Sequence, residues 1–402
     1  MEKKCTVLMP VYNKEEYIEQ AIQSVLDQET DYLIELVIAD DCSVDRSVAI
    51  AEEFCLQNPE KIRVLRSDKN RGLLSNDIRV FQNMKTEYFC VLDPDDYWID
   101  KRFLQKGISF LETNKEYVCY SSNTVVLEEN KQPIAYISTK ESQKVTASIE
   151  DYFNGRAVVP HTTAAIYRNV IFKNGVPKII YDAVGTISEA SYRGEHDRFV
   201  MHLKYGKAIF VNEYVGVYRI TKSGIWSGAS QIHRALLDAQ AKFDYSAFYN
   251  HLYQRQFKNM AIPYYTRARE ERERMLKRGE SLEKGDERLF QEVKKEMEDG
   301  CDVTSIEVEA RIKRMEGLIF QGLGVQKEIL WANIFHDTIR GSEWLPENIS
   351  FSPGRWALGY PGLYLLYRAL NEMRPSAILE LGLGESTQIT GSYVKYQTQC
   401  GN

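Results

Sequence analysis

Short apolar runs alternate with amphipathic stretches over roughly the first 225 residues of the chain. Residues 5–9, 33–39, 62–65 and 89–92 are short, mostly apolar runs typical of buried strands. Between them, residues 18–26 and 48–54 carry apolar side chains three and four positions apart, which is the spacing of one helix face. The alternation of strand and helix predicts an α/β fold with a mixed, mostly parallel sheet.

Residues 229–345 show a different pattern, which predicts a charged helical region. Between residues 267 and 298, 20 of 32 residues are charged, ten of each sign. This balance favours ion pairs within exposed helices over a site for a polyanion. Periodicity alone leaves two roles open for this region, formation of a homo-oligomer and placement of a following domain.

A third change of pattern begins near residue 346, so we divide the chain into domains at 1–228, 229–345 and 346–402. Prolines and aromatic residues come first, and residues 377–386 then read as a strand, a glycine turn and the start of a helix. A single strand and helix cannot bury a core. We therefore expect the last part to be the truncated beginning of a second Rossmann-like domain.

Composition narrows the function classes. The chain has 51 Lys and Arg against 57 Asp and Glu, a formal charge of −6, which argues against a nucleic-acid partner. Its seven cysteines lack a CxxC pair, so neither a disulfide framework nor a structural zinc site is expected. No apolar run has the length of a membrane span. These features predict a cytoplasmic protein.

Carboxylates follow two of the predicted strands at the point where each ends. Asp40 and Asp41 follow the second strand, and Asp93, Asp95 and Asp96 follow the fourth. Carboxylates this close repel one another unless a cation or hydrogen-bond donors offset the charge. Mn²⁺ or Mg²⁺ bound to a diphosphate suits such a site. An acidic turn that caps the next helix is the alternative.

Three ordered motifs resemble the family 2 glycosyltransferases, which have the GT-A fold and invert the anomeric centre. They are Pro10-Val11-Tyr12-Asn13 with Glu15, then Asp40-Asp41-Cys42-Ser43-Val44-Asp45, then Asp93-Pro94-Asp95-Asp96. The resemblance covers residues 4–225 or so. It implies transfer of a sugar from a nucleotide diphosphate-sugar, with a UDP-sugar the first candidate, to a glycan or lipid-linked glycan acceptor.

The resemblance also implies roles for individual residues. A nucleotide site would include the motif residues and an Asn-x-Gly segment; its members are Pro10, Val11, Tyr12, Asn13, Glu15, Asp40, Asp41, Ser43, Arg71, Gly72 and Asp93. Asp95, with Asp93, would ligate Mn²⁺ or Mg²⁺. Arg219 and Lys222, in a segment that closes the domain in the family, would pair with the diphosphate. Residues 152–194, including His161 and Arg168, would shape the acceptor side.

The general base is expected in Glu195-His196-Asp197. An inverting displacement needs a carboxylate that takes the proton of the acceptor hydroxyl. We align Asp197 with the family's catalytic aspartate, with His196 beside it and Glu195 as the alternative base. A helix N-terminus that favours acidic residues is the structural interpretation of the same triplet.

The glycine turn at residues 379–387 is similar to the first motif of class I SAM-dependent methyltransferases. A chain with both parts would be the front of a bifunctional glycosyltransferase and methyltransferase. Two further interpretations compete with the transferase, a nucleotidyltransferase and a non-catalytic GT-A scaffold. The family resemblance implies surface polysaccharide or glycan synthesis, with the protein in the cytoplasm near the inner face of the membrane.

Overall fold

A computed structural model describes residues 2–128, 131–137, 144–221 and 230–298, with the single helical positions Tyr364, Leu366, Tyr367, Arg368, Leu370 and Tyr393. The chain divides into two compact units, Met1–Gly300 and Cys301–Asn402, and the fold below is that of the first. The predicted strand and glycine turn at 377–387 lie outside the described residues. Within the described parts of the chain, no helix has both the length and the apolarity to cross a bilayer.

Strands and helices alternate through the first half of this unit. The strands are β1 (Cys5–Val11), β2 (Ile34–Asp40), β3 (Ile62–Leu65), β4 (Tyr88–Val91), β5 (Tyr97–Trp98), β6 (Tyr117–Glu128), β7 (Ile134–Ala135), β8 (Lys144–Ala147), β9 (Ala165–Arg168) and β10 (Lys207–Ile220). The helices are α1 (Ile18–Leu26), α2 (Ser47–Gln57), α3 (Leu73–Phe81), α4 (Phe103–Thr113), α5 (Ile149–Phe153), α6 (Lys178–Ala183), α7 (Ile187–Ser191), α8 (Glu195–Leu203), α9 (Gln231–Phe248), α10 (Gln254–Lys277) and α11 (Lys284–Glu298). The four predicted strands and two predicted helices are confirmed within two residues at each end, apart from the end of α2.

The ten strands form one mixed sheet. Eight of them lie in the order β3-β2-β1-β4-β9-β6-β10-β5, while β7 pairs with β6 and β8 pairs with β10. The first four strands are parallel. Strand β9 runs antiparallel to both of its neighbours, β4 and β6, and β6 is parallel to β10. The predicted α/β class with a mixed sheet is therefore confirmed.

The apolar runs of the strands bury both faces of the sheet. In β1, Val7 and Met9 join one core cluster, whereas Leu8 joins the other. Successive side chains of a strand point to opposite faces, so a central parallel strand covered by helices on both sides must be apolar throughout. One cluster includes residues of α1, α2 and α4, and the other includes residues of α3, α8, α9 and α10.

The charged helices belong to the same compact unit as the sheet. Tyr245 and Phe248 of α9 belong to the core cluster that contains Phe89 of β4. Ion pairs four residues apart occur along α11, and Arg272 of α10 donates two hydrogen bonds to Glu287 of α11. The expected intramolecular pairing is thus confirmed for this part of the helical region. The boundary at residues 228 and 229 stays a prediction.

Candidate active site

The carboxyl ends of β1, β2 and β4 meet at one edge of the sheet. Val11, the last residue of β1, is paired with Asp40, the last residue of β2. Leu8 is paired with Val91 at the end of β4, so Asp93 emerges at the same edge. Parallel register therefore brings the three predicted motifs together, at the place where α/β sheets bind ligands.

The loops after β1 and β2 are hydrogen-bonded to each other. The backbone N–H of Asn13 donates to Ser43 Oγ (3.0 Å), and Asn13 Oδ1 accepts from the backbone of Val44 (2.9 Å). Glu15 accepts from the backbone of Arg46 (2.9 Å). Asn13 has a φ of 52°, a conformation that asparagine tolerates better than most residues. Asn13, Glu15 and Ser43, predicted to bind the nucleotide, thus hold these two loops together.

Asp41 anchors the predicted Asn-x-Gly segment. Its Oδ1 accepts from the backbone N–H of Arg71 (2.8 Å) and its Oδ2 from that of Gly72 (2.9 Å). Asp40 accepts from the backbone of Ser43 (3.2 Å) and closes its own turn. Gly72 has a φ of 82°, which favours glycine. The two aspartates therefore fix the backbone on either side of the predicted nucleotide pocket.

Tyr12 presents an exposed ring at this edge. Its side chain follows β1 directly and is 46% exposed, although Val11 before it is buried. Pro10 lies within β1, paired with Ala39. The Arg71 side chain turns away toward Ser67 (3.0 Å) and Asp68. An exposed aromatic ring beside ordered polar loops offers a surface on which a nucleobase can stack.

The three carboxylates after β4 have different surroundings. Asp95 Oδ2 accepts a hydrogen bond from Lys14 Nζ at 2.6 Å, and both side chains are less than one-fifth exposed. Asp96 is buried and accepts from Thr163 Oγ1 (2.5 Å) and the backbone of Arg219 (3.0 Å). Asp93 is only partly buried. The three residues form one motif in the sequence, but their surroundings in the fold differ.

Asp93, Asp96 and His161 form a potential set of metal ligands. Each offers one ligand atom, and these atoms lie within 4.8 Å of one another. Burial, together with the charges of Asp96 and Asp95, raises the pKa of Asp93 well above its ordinary value. Burial raises the pKa of Asp96 to about 7. Two crowded carboxylates that resist ionisation fit a divalent cation, which would offset their charge.

Of the two basic residues predicted to pair with the diphosphate, the structure describes one, Arg219. The guanidinium of Arg219 lies 4.4 Å from the centre of the Tyr97 ring and donates to the backbone oxygen of Asp95 (2.7 Å). Arg219 therefore holds the backbone of the acidic turn in place, and its guanidinium has further N–H donors. Lys222 lies outside the described residues.

Glu195 and His196 begin α8. The Glu195 side chain is 23% exposed, and His196 Nδ1 lies 3.6 Å from its Oε1. Burial alone would raise the pKa of Glu195, but the contact with His196 and a backbone hydrogen bond together outweigh burial and leave this pKa below its ordinary value. The charge of Glu195 acts on Asp93, His161 and Tyr218. Glu195 is thus an ionised, accessible carboxylate on the same side as the acidic cluster.

Asp197 closes the first turn of the same helix. Its Oδ2 accepts from the backbone N–H groups of Arg193 (2.8 Å) and Gly194 (3.1 Å), donors that a helix N-terminus otherwise leaves unsatisfied. The side chain is 3% exposed, and its charge acts on Tyr152 and Tyr245 on the side of α5 and α9. The contacts of Asp197 are those of a helix cap.

Asp197 gives a testable dependence of stability on pH. Burial raises the pKa of Asp197 from 3.8 to about 6. Its contribution to the free energy of unfolding is therefore greatest below about pH 4 and is lost as the pH rises through 6. Since Asn cannot ionise, D197N should gain on the order of 3 kcal/mol relative to wild type between pH 4 and 7.5. Urea denaturation at both pH values measures this difference, and parallel pH profiles would refute it.

Helix α9 supports the segment that precedes Glu195. Asp244 accepts hydrogen bonds from Ser188 Oγ and Ser191 Oγ, both at 2.6 Å. Asp238, one turn and a half earlier on α9, forms an ion pair with Arg193. Since Arg193 also donates its backbone N–H to Asp197, the approach to α8 is held from two sides. The position of Glu195 therefore depends on a helix far along the chain.

A buried ion pair lies behind the acidic cluster. Arg198 of α8 and Asp77 of α3 are 4% and 0% exposed, and Arg198 NH1 lies 3.3 Å from Asp77 Oδ2. The same oxygen accepts from the hydroxyl of Tyr192 (2.9 Å). Burial raises the pKa of Asp77 to about 6, although the charge of Arg198 opposes the shift. The pair joins two helices whose contact no local pattern predicts.

Sequence reasoning did not predict that Lys14 pairs with Asp95, and it placed His161 only on the acceptor side. Lys14 stands between Asn13 and Glu15, two residues of the first motif, which is the signal that could have found it. His161 precedes β9, which pairs with β4 beside the acidic turn. Arg168, also predicted for the acceptor side, pairs with Tyr88 at the other end of β4, and its place on the acceptor side stays a prediction.

Comparison with known proteins agrees with this geometry. Residues 6–175 match the family model of glycosyl transferase family 2. This segment of the first unit is therefore similar to a family 2 glycosyltransferase domain. The matched segment includes the three motifs and all of the acidic cluster with His161, and it ends before α8. The resemblance predicted for residues 4–225 is confirmed over residues 6–175.

The curated relatives share the domain rather than their whole length. An uncharacterized protein of Mycobacterium tuberculosis is 26% identical over 221 residues, which are 54% of this chain and 59% of the relative. The dTDP-rhamnosyl transferase RfbG of Shigella flexneri is 36% identical over 121 residues, 29% of this chain and 41% of the relative. The chain thus spans about half the length of the curated relatives it matches.

A solved structure shares the fold. The structure of residues 1–349 of Staphylococcus aureus TarS in complex with UDP-GlcNAc superposes with a TM-score of 0.50 and 15% identity, covering 72% of this chain and 79% of that one. At this identity the likeness is one of fold alone. It confirms the predicted GT-A fold of the glycosyltransferase domain.

Proposed function

We propose that the protein transfers a sugar from a nucleotide diphosphate-sugar to an acceptor hydroxyl, with inversion, in the synthesis of a surface polysaccharide or glycan. The observation that carries this proposal is the convergence of the β1, β2 and β4 motifs at one sheet edge within a family 2 domain. The similar proteins named above include a dTDP-rhamnosyl transferase and one solved with UDP-GlcNAc, which supports a nucleotide-sugar donor.

The nucleotide is proposed to lie between the interlocked loops after β1 and β2. Tyr12 offers a ring for the base, and the backbone at Gly72 is fixed by its hydrogen bond to Asp41. Carboxylate oxygens retain lone pairs that accept hydrogen bonds from a base N–H or from ribose hydroxyls. Asp93 faces the ribose and the diphosphate in this proposal. A UDP-sugar stays the first candidate among the donors.

Asp93 and Asp96 are the oxygen ligands that we propose for Mn²⁺ or Mg²⁺. Asp95, the other ligand predicted from sequence, is bound to Lys14 in this structure. When bound, the cation neutralises charge that builds up on the departing nucleoside diphosphate. The acidic turn is held in place for this by Arg219 and by Thr163, which donate to Asp95 and Asp96.

Glu195 is proposed as the general base in preference to Asp197. The carboxylate of Glu195 is ionised and accessible beside the acidic cluster, whereas that of Asp197 accepts two backbone N–H groups. In the transfer, the acceptor oxygen forms a bond to the anomeric carbon while the bond from that carbon to the diphosphate oxygen breaks. The acceptor proton passes to Glu195, whose Oε1 lies 3.6 Å from His196 Nδ1.

The acceptor and its place in the cell are proposed from the family resemblance. A glycan or lipid-linked glycan at the inner face of the membrane follows from the family resemblance. Association of copies through the helical region and a methyltransferase that follows it also stay predictions.

Binding of nucleotides with and without Mn²⁺ tests the proposed function. The full chain is heated with UDP, dTDP or GDP, each with Mn²⁺ or with EDTA, and unfolding is followed by fluorescence. A ligand at about 100 times its Kd should stabilise the fold by about 2.7 kcal/mol. We expect one nucleoside diphosphate to raise the Tm in the presence of Mn²⁺. If none of them shifts the Tm, the nucleotide-sugar proposal is wrong and a non-catalytic scaffold is favoured.

A further inference from the structure

His161 stands beside the two carboxylates proposed to hold the cation. Its ring nitrogen, one oxygen of Asp93 and one oxygen of Asp96 all lie within 4.8 Å of one another. His161 Nδ1 is 3.6 Å from Asp96 Oδ2. An imidazole this close to two carboxylate oxygens can join them around one ion.

The orientation of the His161 ring is fixed by its neighbours. The ring stacks on Tyr218 with centroids 4.2 Å apart, and the Tyr136 ring meets it edge-on at 5.1 Å. The backbone N–H of Thr163 donates to Nδ1 at 3.4 Å, which makes Nδ1 the unprotonated nitrogen of the ring. A cation bound to this nitrogen takes its one lone pair in place of the long hydrogen bond from Thr163, and the packed rings keep the imidazole beside the two carboxylates.

The third carboxylate of the turn does not compete for this place. Asp95 is paired with Lys14 at 2.6 Å, so its negative charge is already balanced. Asp93 and Asp96 then supply two oxygens, and the nearest remaining ligand atom of the cluster is a nitrogen.

We infer that His161 is a nitrogen ligand of the divalent cation and that it makes the site prefer Mn²⁺ to Mg²⁺. The inference rests on the proposed function, because it concerns the cation of that same site. Imidazole binds transition metals readily. Mg²⁺ instead prefers six oxygen ligands in an octahedron and gives up its bound water reluctantly. The selectivity would therefore come from a residue outside the acidic motif.

Electron spin-echo measurements on bound Mn²⁺ test this inference without any need for turnover. The full chain is loaded with Mn²⁺ in the presence of UDP, once with natural histidine and once with ¹⁵N-histidine. We expect a ¹⁴N coupling that is replaced by a ¹⁵N coupling in the labelled protein. The H161N variant should lose the coupling and bind Mn²⁺ at least about tenfold more weakly, with a smaller preference over Mg²⁺. The H196N variant is the matched control and should retain the coupling.

The outcomes separate this inference from the proposed function. Mn²⁺ bound together with UDP but without nitrogen coupling in the wild type would overturn the inference and leave the transferase proposal intact. A coupling that persists in H161N would also overturn it. If Mn²⁺ does not bind even with UDP present, both this inference and the metal assignment are wrong. The isotope comparison uses the wild-type chain, so the test does not depend on the folding of a variant.

Discussion

Glu195→Gln should lower kcat by about 10²–10⁴-fold, the range typical of losing a general base. Gln is isosteric but cannot take the proton of the acceptor hydroxyl. The proposed donor contacts follow β1, β2 and β4, so the affinity for the nucleotide should stay within a factor of about two. Steady-state transfer, together with titration of the nucleoside diphosphate identified by thermal shift, measures the two effects separately.

Asp197→Asn is the matched control for this experiment. It changes a neighbouring carboxylate on the same helical turn, but one whose oxygens cap the helix. The amide oxygen of Asn can still accept from the backbone, so we expect kcat within about tenfold of wild type. If D197N abolishes transfer while E195Q retains it, Asp197 is the base, as the sequence alignment predicts.

Arg198→Met should lower the free energy of unfolding by about 3–5 kcal/mol, because it leaves the buried carboxylate of Asp77 without its cation. Met preserves most of the length and apolar volume of the side chain. Arg198 lowers the pKa of Asp77, so this pKa should rise further in the variant. At a pH above this pKa the buried side chain of Asp77 is charged, and at a pH below this pKa it is neutral. The loss should therefore be larger at pH 8 than at pH 5, as urea denaturation at both values can show.

Arg288→Met on α11 is the control for a general effect of removing an arginine. Arg288 also pairs with a carboxylate, Glu292 at 2.9 Å, but its side chain is 79% exposed. Exposed pairs contribute little, so the stability should change by less than about 1 kcal/mol. The double variant Asp77→Asn with Arg198→Met should recover part of the stability at pH 8. Equal losses in R198M and R288M would mean that burial of the pair does not matter.

Local patterns were sufficient for the strands and for the edge where the motifs meet. Residues 62–65 form a strand with the bounds that the apolar run predicts. The meeting of Asp40 and Asp93 follows from parallel register, which the alternation of strands and helices already implies. Each of these features depends on residues close in sequence or on a general rule of sheet topology.

Contacts between distant parts of the chain decided the rest of the site. Asp77 and Arg198 are 121 residues apart, and their pairing requires the packing of α3 against α8. The different surroundings of Glu195 and Asp197 depend on how the first turn of α8 is rotated, and acidic residues are favoured there for either role. His161 reaches the acidic turn only because β9 inserts between β4 and β6. No single stretch of sequence contains that information.

The hydrogen bonds from Ser188 and Ser191 to Asp244 determine how far the chain can be shortened for study. A truncation after residue 228 would delete Asp238 and Asp244 and would uncover the core face that Tyr245 and Phe248 now cover. Such a fragment would contain every motif residue from Pro10 to Arg219, yet it would present a large apolar surface to solvent. An expression fragment meant to retain transfer should therefore extend at least through α10, to residue 277.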